Sequence, residues 1–262
     1  MARRGLEMFT AITFNIQNGE PWSGDEAATP PVDLQGTCRF LASHPVDFIF
    51  LQEVERGYDG GEQVEPPPNY HILKAALPGY ESVFAYPQRN PDEIPFGLGL
   101  AIFSKWPLQG FWKEDLPAPD ITFEFASRKR KPSSRLLIGA EASLPEGKIA
   151  LLNTHLQAFF MVDSSSNLHL APRNQVEQAL RRTTLPSLLA GDFNCAPGET
   201  LVEQFSGAGF LPVQTSEITW RRRPYTLDHI FYNSPLELIS SEVIPNMVSD
   251  HHAVKAAFQL VP

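Results

Sequence analysis

Ser187-Leu188-Leu189-Ala190-Gly191-Asp192-Phe193-Asn194 is the stretch from which the rest of the chain can be read. A short apolar run bounded by turn-forming residues reads as a buried strand. Taken alone, its Gly-Asp-Phe-Asn ending is also consistent with a tight turn whose Asp and Asn bond their own backbone. Repetition decides between the two. Five other apolar runs end in residues able to hold a cation or move a proton: Thr13-Phe14-Asn15, Phe50-Leu51-Gln52-Glu53, Leu152-Asn153-Thr154-His155, Thr226-Leu227-Asp228-His229 and Ser249-Asp250-His251. Each has an ordinary reading by itself, as a turn residue, a solvated strand end, a cap or a buried acceptor. Six together point to strands that finish at one rim, the place where open α/β sheets put ligands.

Working outward, strands are expected at Met8–Asn15, Val46–Gln52, Ser82–Tyr86, Leu98–Ser104, Ser134–Ala142, Ile149–Thr154, Ser187–Ala190, Leu227–Tyr232 and His252–Leu260. Helices are expected at Pro31–Ala42, Pro68–Leu77, Pro172–Arg182 and Glu199–Ser206, three of them opened by a proline that suits a first turn. This alternation suits sheets covered by helices, an α/β (α+β) chain. Long irregular stretches at Gly19–Pro30, Arg56–Pro67, Asp115–Pro132 and Ala158–Ala171 are candidate functional loops. No linker composition or repeat divides residues 1–262, so one catalytic domain is expected.

Composition narrows the class. The 262 residues are 42% hydrophobic, which excludes a disordered chain, and carry 21 Lys+Arg against 30 Asp+Glu, a net charge of −9. That balance argues against a general nucleic-acid coat but leaves room for a nuclease with a local basic lip. Cys38 and Cys195 make neither a disulfide framework nor metal-ligand spacing and read as buried thiols of a reducing compartment. Met1–Thr10 has no apolar core of a secretory signal, and no run approaches a membrane span. A cytoplasmic monomer is the expectation.

Thr13-Phe14-Asn15-Ile16, Leu51-Gln52-Glu53-Val54, Asn153-Thr154-His155-Leu156, Gly191-Asp192-Phe193-Asn194, Leu227-Asp228-His229-Ile230 and Ser249-Asp250-His251 resemble the successive motifs of the endonuclease/exonuclease/phosphatase family, the deoxyribonuclease I-like superfamily. Leu98 to Lys105 resembles its Gly-rich strand ending in Ser-Lys. The resemblance implies a four-layer sandwich of two packed mixed β-sheets flanked by helices. It implies a phosphoester hydrolase that uses Mg²⁺ or Mn²⁺, both of which take oxygen ligands. Glu53 with Asn15 is the expected metal site, reached by Asp250 directly or through water. Asp192 would orient or deprotonate the attacking water, and Asn194 would hold that water or a phosphate oxygen. His155 and His251 would bond non-bridging oxygens, with Asp228 orienting one of these two imidazoles. His252 and His229 are expected to point away.

Arg135 and Arg173 are the candidate contacts to substrate phosphate, because the family has an arginine entering this strand and an Arg…Gln pair like Arg173 and Gln175. Arg128-Lys129-Arg130-Lys131 and Arg221-Arg222-Arg223 are either solvated or substrate-facing. Ala158-Phe159-Phe160-Met161-Val162 is either a buried anchor or an exposed lip, and Trp22 is a second lip candidate. The substrate is a phosphoester: a phosphodiester or nucleic acid first, with a sphingomyelinase-like phospholipid or a small phosphomonoester as alternatives. A binding protein with a dead site is the reading from another class; the retained acids, amides and imidazoles speak against it.

Overall fold

The computed structural model describes residues 8–25 and 30–261. Residues 1–7, most of the segment read above for a signal, residues 26–29 of the Gly19–Pro30 loop and residue 262 lie outside the described residues. The strands are β1 (Met8–Asn15), β2 (Phe48–Glu55), β3 (Glu81–Ala85), β4 (Leu98–Ser104), β5 (Leu108–Asp115), β6 (Phe123–Phe125), β7 (Arg128–Arg130), β8 (Leu136–Leu144), β9 (Gly147–His155), β10 (Ser187–Asp192), β11 (Phe210–Pro212), β12 (Asp228–Asn233), β13 (Leu236–Ile244) and β14 (Ala253–Leu260). The helices are α1 (Leu34–Ser43), α2 (Pro68–Ala76), α3 (Ala171–Arg182) and α4 (Leu201–Gly207).

Two six-stranded mixed sheets form, in the orders β13-β14-β1-β2-β4-β3 and β11-β12-β10-β9-β8-β5. Alternation sorts the side chains into three cores. Phe48, Phe50, Ile102 and Phe258 of the first sheet meet Ile138, Leu151, Leu188 and Ile230 of the second in the central layer. On the outer face of the first sheet, Ile49 and Leu51 pack with Leu34, Leu41 and Leu73 of α1 and α2. On the outer face of the second, Leu189 and Phe231 pack with Val176, Leu180 and Phe205 of α3 and α4. The expected four-layer α/β sandwich is the observed fold.

One polar link crosses the central layer. Gln52 and Asn153 point inward from the two sheets, and Gln52 Nε2 donates to Asn153 Oδ1 at 2.8 Å. Asn153 Nδ2 donates to the carbonyls of Leu51 and Ala101, and Gln52 Nε2 also donates to Thr13 Oγ1. Both amides are fully buried, so each needs these partners.

Several expectations need correction. α1 starts at Leu34 rather than Pro31, because the Asp33 carboxylate accepts from Gly36 N at 2.9 Å and caps the helix there. β5 and β13 were not expected; both lie on sheet edges with much of their length exposed, so they lack an apolar run. The expected loop Asp115–Pro132 contains the small β6–β7 hairpin.

Glu55 is buried and accepts from Tyr70 N at 2.8 Å, satisfying a donor in the first turn of α2. Burial pushes its carboxyl up to about 7, against the backbone hydrogen bonds that favour the ion. A raised acid contributes stability below its unfolded value near 4.5, which is lost as the pH rises through the folded value. Glu55→Gln removes this titration. Between pH 4.5 and 8 the variant should lose less stability than the wild type by roughly 2 kcal/mol, read as the difference in urea-melt slope with pH.

Candidate active site

Strand register assembles the site. Asn15 pairs with Gln52 at the ends of parallel β1 and β2, and Asp192 lies between His155 and Asp228 in the other sheet. Asn15, His155, Asp192 and Asp228 share parity with the central-layer residues of their strands, so all four point between the sheets at one rim. Gly191 makes the last pairing possible: a Cβ there would lie 2.0 Å from the Thr154 carbonyl oxygen.

Glu53 should by alternation face the helices with Ile49 and Leu51. It does not, because the β2–β4 register slips between Gln52 and Glu55 and Glu53 adopts φ +49°. A bulge of this kind re-aims a side chain, and the left-handed backbone of a non-glycine residue is a strain held by its surroundings. Asn194 shows the same conformation, at φ +46°. Gly97 gives Glu53 its space: a Cβ there would sit 2.3 Å from Glu53 Oε2 and 2.7 Å from its Cβ. Gly97→Ala should therefore displace the Glu53 carboxylate and break its hydrogen bond to Asn15 with the fold intact, read from a crystal structure of the variant.

At the centre, Asn15 Nδ2 donates to Asp192 Oδ2 at 3.0 Å and to Glu53 Oε1 at 3.1 Å. His155 Nε2 is 3.4 Å from Asp192 Oδ2, 3.9 Å from Glu53 Oε1 and 3.1 Å from Asn194 Nδ2. Its Nδ1 is 2.9 Å from Arg135 Nη1. His251 Nδ1 bonds Asp228 Oδ2 at 2.8 Å, while its Nε2 lies 3.8 Å from Asp192 Oδ2. Asp228 therefore serves His251, not His155. The Ser249 hydroxyl ties this segment to β1, donating to the Asn15 carbonyl at 2.7 Å and accepting from His251 N.

The electrostatics divide the groups. Burial lowers His155 well below the usual histidine range, and the Arg135 and His251 cations add to it. Burial would also lower His251, but the Asp228 and Asp192 carboxylates override it and raise the ring to about 10. Burial, and then the Asp228 charge, hold the Asp192 carboxyl above its usual range. Burial likewise raises Glu53. Ligand atoms of Asp192, Asp228 and His251 lie within 4.8 Å of one another, a spacing that admits a metal ion.

The profile described as Endonuclease/Exonuclease/phosphatase family matches residues 12–251, from β1 to the last histidine of this cluster. The chain belongs to that family. Its members are phosphoester hydrolases that typically use a divalent metal. The search of curated proteins found no match. Among solved structures, the chain is similar to the endonuclease/exonuclease/phosphatase from Bacteroides vulgatus (TM-score 0.70, 16% identity, 97% of this chain and 100% of that one). It is similar to the human Nocturnin catalytic domain with bound sulfate anion (TM-score 0.66, 17% identity, 97% and 95% covered). A mannosyl-6-phosphatase from Bacteroides thetaiotaomicron is a third (TM-score 0.66, 16% identity, 97% and 100% covered). At these identities the likeness is one of fold.

Around the family's core site the remaining candidates fall in different places. Asp250 Oδ2 accepts from Arg222 Nε at 2.6 Å and Trp220 Nε1 at 3.2 Å, and no hydrogen bond joins it to Asn15 or Glu53. The Arg222 guanidinium also lies over the Trp22 ring, 5.1 Å from its centroid. Arg173 is not brought to the cluster: its guanidinium donates to Ser166, Asn167 and Thr200 and braces the loop after β9. Gln175 reaches Glu114. In the basic run, Arg128 and Arg130 pair with Asp59. Of the apolar run, Phe159 is buried against His169 and Phe160 packs on Trp220 and Tyr225; Met161 is the exposed member, at 57%. His229 is buried against Phe193 and Phe231, away from the cluster, and His252 is half-buried.

Sequence reading missed Gly97, Thr219 and Trp220 as parts of this site, and named Ser249 and Arg222 only as members of a motif and a basic run. Thr219 Oγ1 accepts from both Leu227 N and Asp228 N and seats Asp228. Ser249 was legible as part of Ser-Asp-His; Gly97 and Thr219 act only through contacts distant in sequence. Among the described residues no helix is long and apolar enough to cross a membrane.

Proposed function

We propose that the chain, acting as one catalytic domain over residues 1–262, is a divalent-metal-dependent phosphodiesterase. The observation that supports this best is the convergence of Glu53, Asn15, Asp192, His155 and the Asp228–His251 pair on one pocket. The residues fit a hard cation. Glu53 is aimed inward by a strained bulge, and no hydrogen bond from the described residues reaches its Oε2. Glu53 with the Asn15 amide would hold Mg²⁺ or Mn²⁺, with Asp250 alongside, and the ion would neutralise phosphate charge. The Asp192–Asp228–His251 group is the poorer holder: although Asp228 Oδ1 is buried with no hydrogen-bond partner among the described residues, Oδ2 is taken by His251, and a charged imidazole repels a cation.

Asp192 accepts the proton of the attacking water, and its raised affinity for protons suits a base near neutral pH. Asn194, fixed by Asn194 N to Asp192 Oδ1 and by its amide to the Leu156 carbonyl, positions that water. His155 and the cationic His251 donate to the non-bridging oxygens as negative charge builds.

The pairing of Arg128 and Arg130 with Asp59, together with the net charge of −9, favours a small or lipid-borne phosphodiester over a long polynucleotide. The test is release of p-nitrophenol from bis(p-nitrophenyl) phosphate, then a panel of oligonucleotides, cyclic dinucleotides, sphingomyelin and phosphomonoesters. Activity should require Mg²⁺ or Mn²⁺, vanish with EDTA and vary little with salt. Equal rates with chelator defeat the metal assignment. A steep fall in affinity with salt returns the reading to a nuclease.

A further inference from the structure

We infer that Arg135 is a positioning residue: it fixes His155 as a neutral donor through Nε2–H rather than touching the substrate. The catalytic consequence rests on the proposed phosphoester hydrolysis; the protonation pattern does not.

A neutral imidazole has one donor and one acceptor nitrogen, and which is which follows from its partners. Arg135 Nη1 stands 2.9 Å from Nδ1. A guanidinium has only donors and keeps its charge in proteins. Nδ1 must therefore carry the lone pair, and the single hydrogen resides on Nε2. That hydrogen faces acceptors: Asp192 Oδ2 at 3.4 Å and Glu53 Oε1 at 3.9 Å. The competing contact is Asn194 Nδ2 at 3.1 Å from Nε2; one of its two hydrogens goes to the Leu156 carbonyl at 3.1 Å, so the other competes with Arg135 for the ring's single lone pair. The opposite tautomer would set an N–H against a charged donor and a lone pair against two carboxylates. An imidazolium would set its Nδ1 hydrogen against the guanidinium. The charge-assisted bond from Arg135 prevails over the neutral amide contact.

Backbone position supports the role. Arg135 directly precedes β8, and its carbonyl accepts from Leu116 N at 2.8 Å, which extends the β5–β8 pairing and fixes its backbone. The site thus carries two buried imidazoles with opposite anchors on Nδ1. An arginine makes His155 a fixed neutral donor, and an aspartate makes His251 a cation.

The experiment is long-range ¹H–¹⁵N correlation on metal-free, ¹⁵N-histidine-labelled protein, with His155 assigned by its loss in His155→Gln. The expected pattern is a lone-pair Nδ1 and a hydrogen-bearing Nε2. Arg135→Lys keeps a donor and should keep the pattern, with kcat reduced less than about 10-fold. Arg135→Glu offers an acceptor and should move hydrogen onto Nδ1, with kcat falling about 10- to 100-fold while KM holds. A wild-type Nδ1–H or imidazolium overturns the inference, whether or not the protein hydrolyses phosphoesters. So does an Arg135→Glu variant that folds and keeps Nε2–H with a raised KM, which would make Arg135 a substrate contact. If Arg135→Glu fails to fold, the wild-type and Arg135→Lys spectra still decide.

Discussion

Asp192→Ala is expected to turn over bis(p-nitrophenyl) phosphate about 10²- to 10⁴-fold more slowly than the wild type, the usual worth of a positioned general base. The carboxylate sits where four functional groups meet. Oδ2 takes a hydrogen bond from Asn15 and faces both imidazoles, while Oδ1 takes one from Asn194 N. No neighbour can replace it, since Asp228 is committed to His251 and Glu53 lies on the other sheet. The loss should fall on kcat, with an unchanged far-ultraviolet circular dichroism spectrum showing that the strands remain. A wild-type rate in a folded variant would place the base elsewhere.

Asp228→Asn should cost a similar factor for a different reason. Asp228 is fully buried, and its Oδ2 bond holds the His251 ring and stabilises its charge. Asparagine keeps the shape but loses the charge, and its amine can force the ring into the wrong tautomer. The sign of the pH effect follows. His251 is raised above its ordinary value near 6.5, so the wild-type imidazolium persists until the pH passes about 10. Without the Asp228 charge it is lost at lower pH. The alkaline limb of the pH–kcat/KM profile should move toward neutrality in the variant; an unmoved limb would separate His251 ionisation from activity.

Much of this architecture was legible in the chain. Four of the rim motifs join an apolar run to a polar end, and those runs are the buried strands β1, β2, β9 and β10; Asp228 instead opens β12, and Ser249-Asp250-His251 precedes β14. What was not legible depends on partners far away in sequence. Nothing around Glu53 announces a bulge, yet without it the side chain would face α2. Gly97 reads as one glycine in Phe96-Gly97-Leu98-Gly99, and its meaning is the Glu53 carboxylate against it. The family's Arg…Gln pair suggests a phosphate contact at Arg173, but Ser166, Asn167 and Thr200 engage its guanidinium, and residue type does not announce those partners. Arg222 and Trp220 share one oxygen of Asp250, Oδ2, and neither partner is announced by the Ser-Asp-His motif. β5 and β13 escaped notice because an edge strand needs no continuous apolar run.

The Gln52–Asn153 amide pair has a consequence for how accurately the pocket is built. Apolar surfaces of two layers tolerate a small lateral slip, since dispersion contacts lack direction. Paired amides do not tolerate it, because their bonds weaken steeply off axis. Glu53 follows Gln52 directly, and His155 lies two residues past Asn153. The anchor therefore sits one or two residues from the chemistry on each side, and alignment of the two halves of the pocket is a local quantity. Distant loops and helices can change in length or sequence while that alignment stays constant.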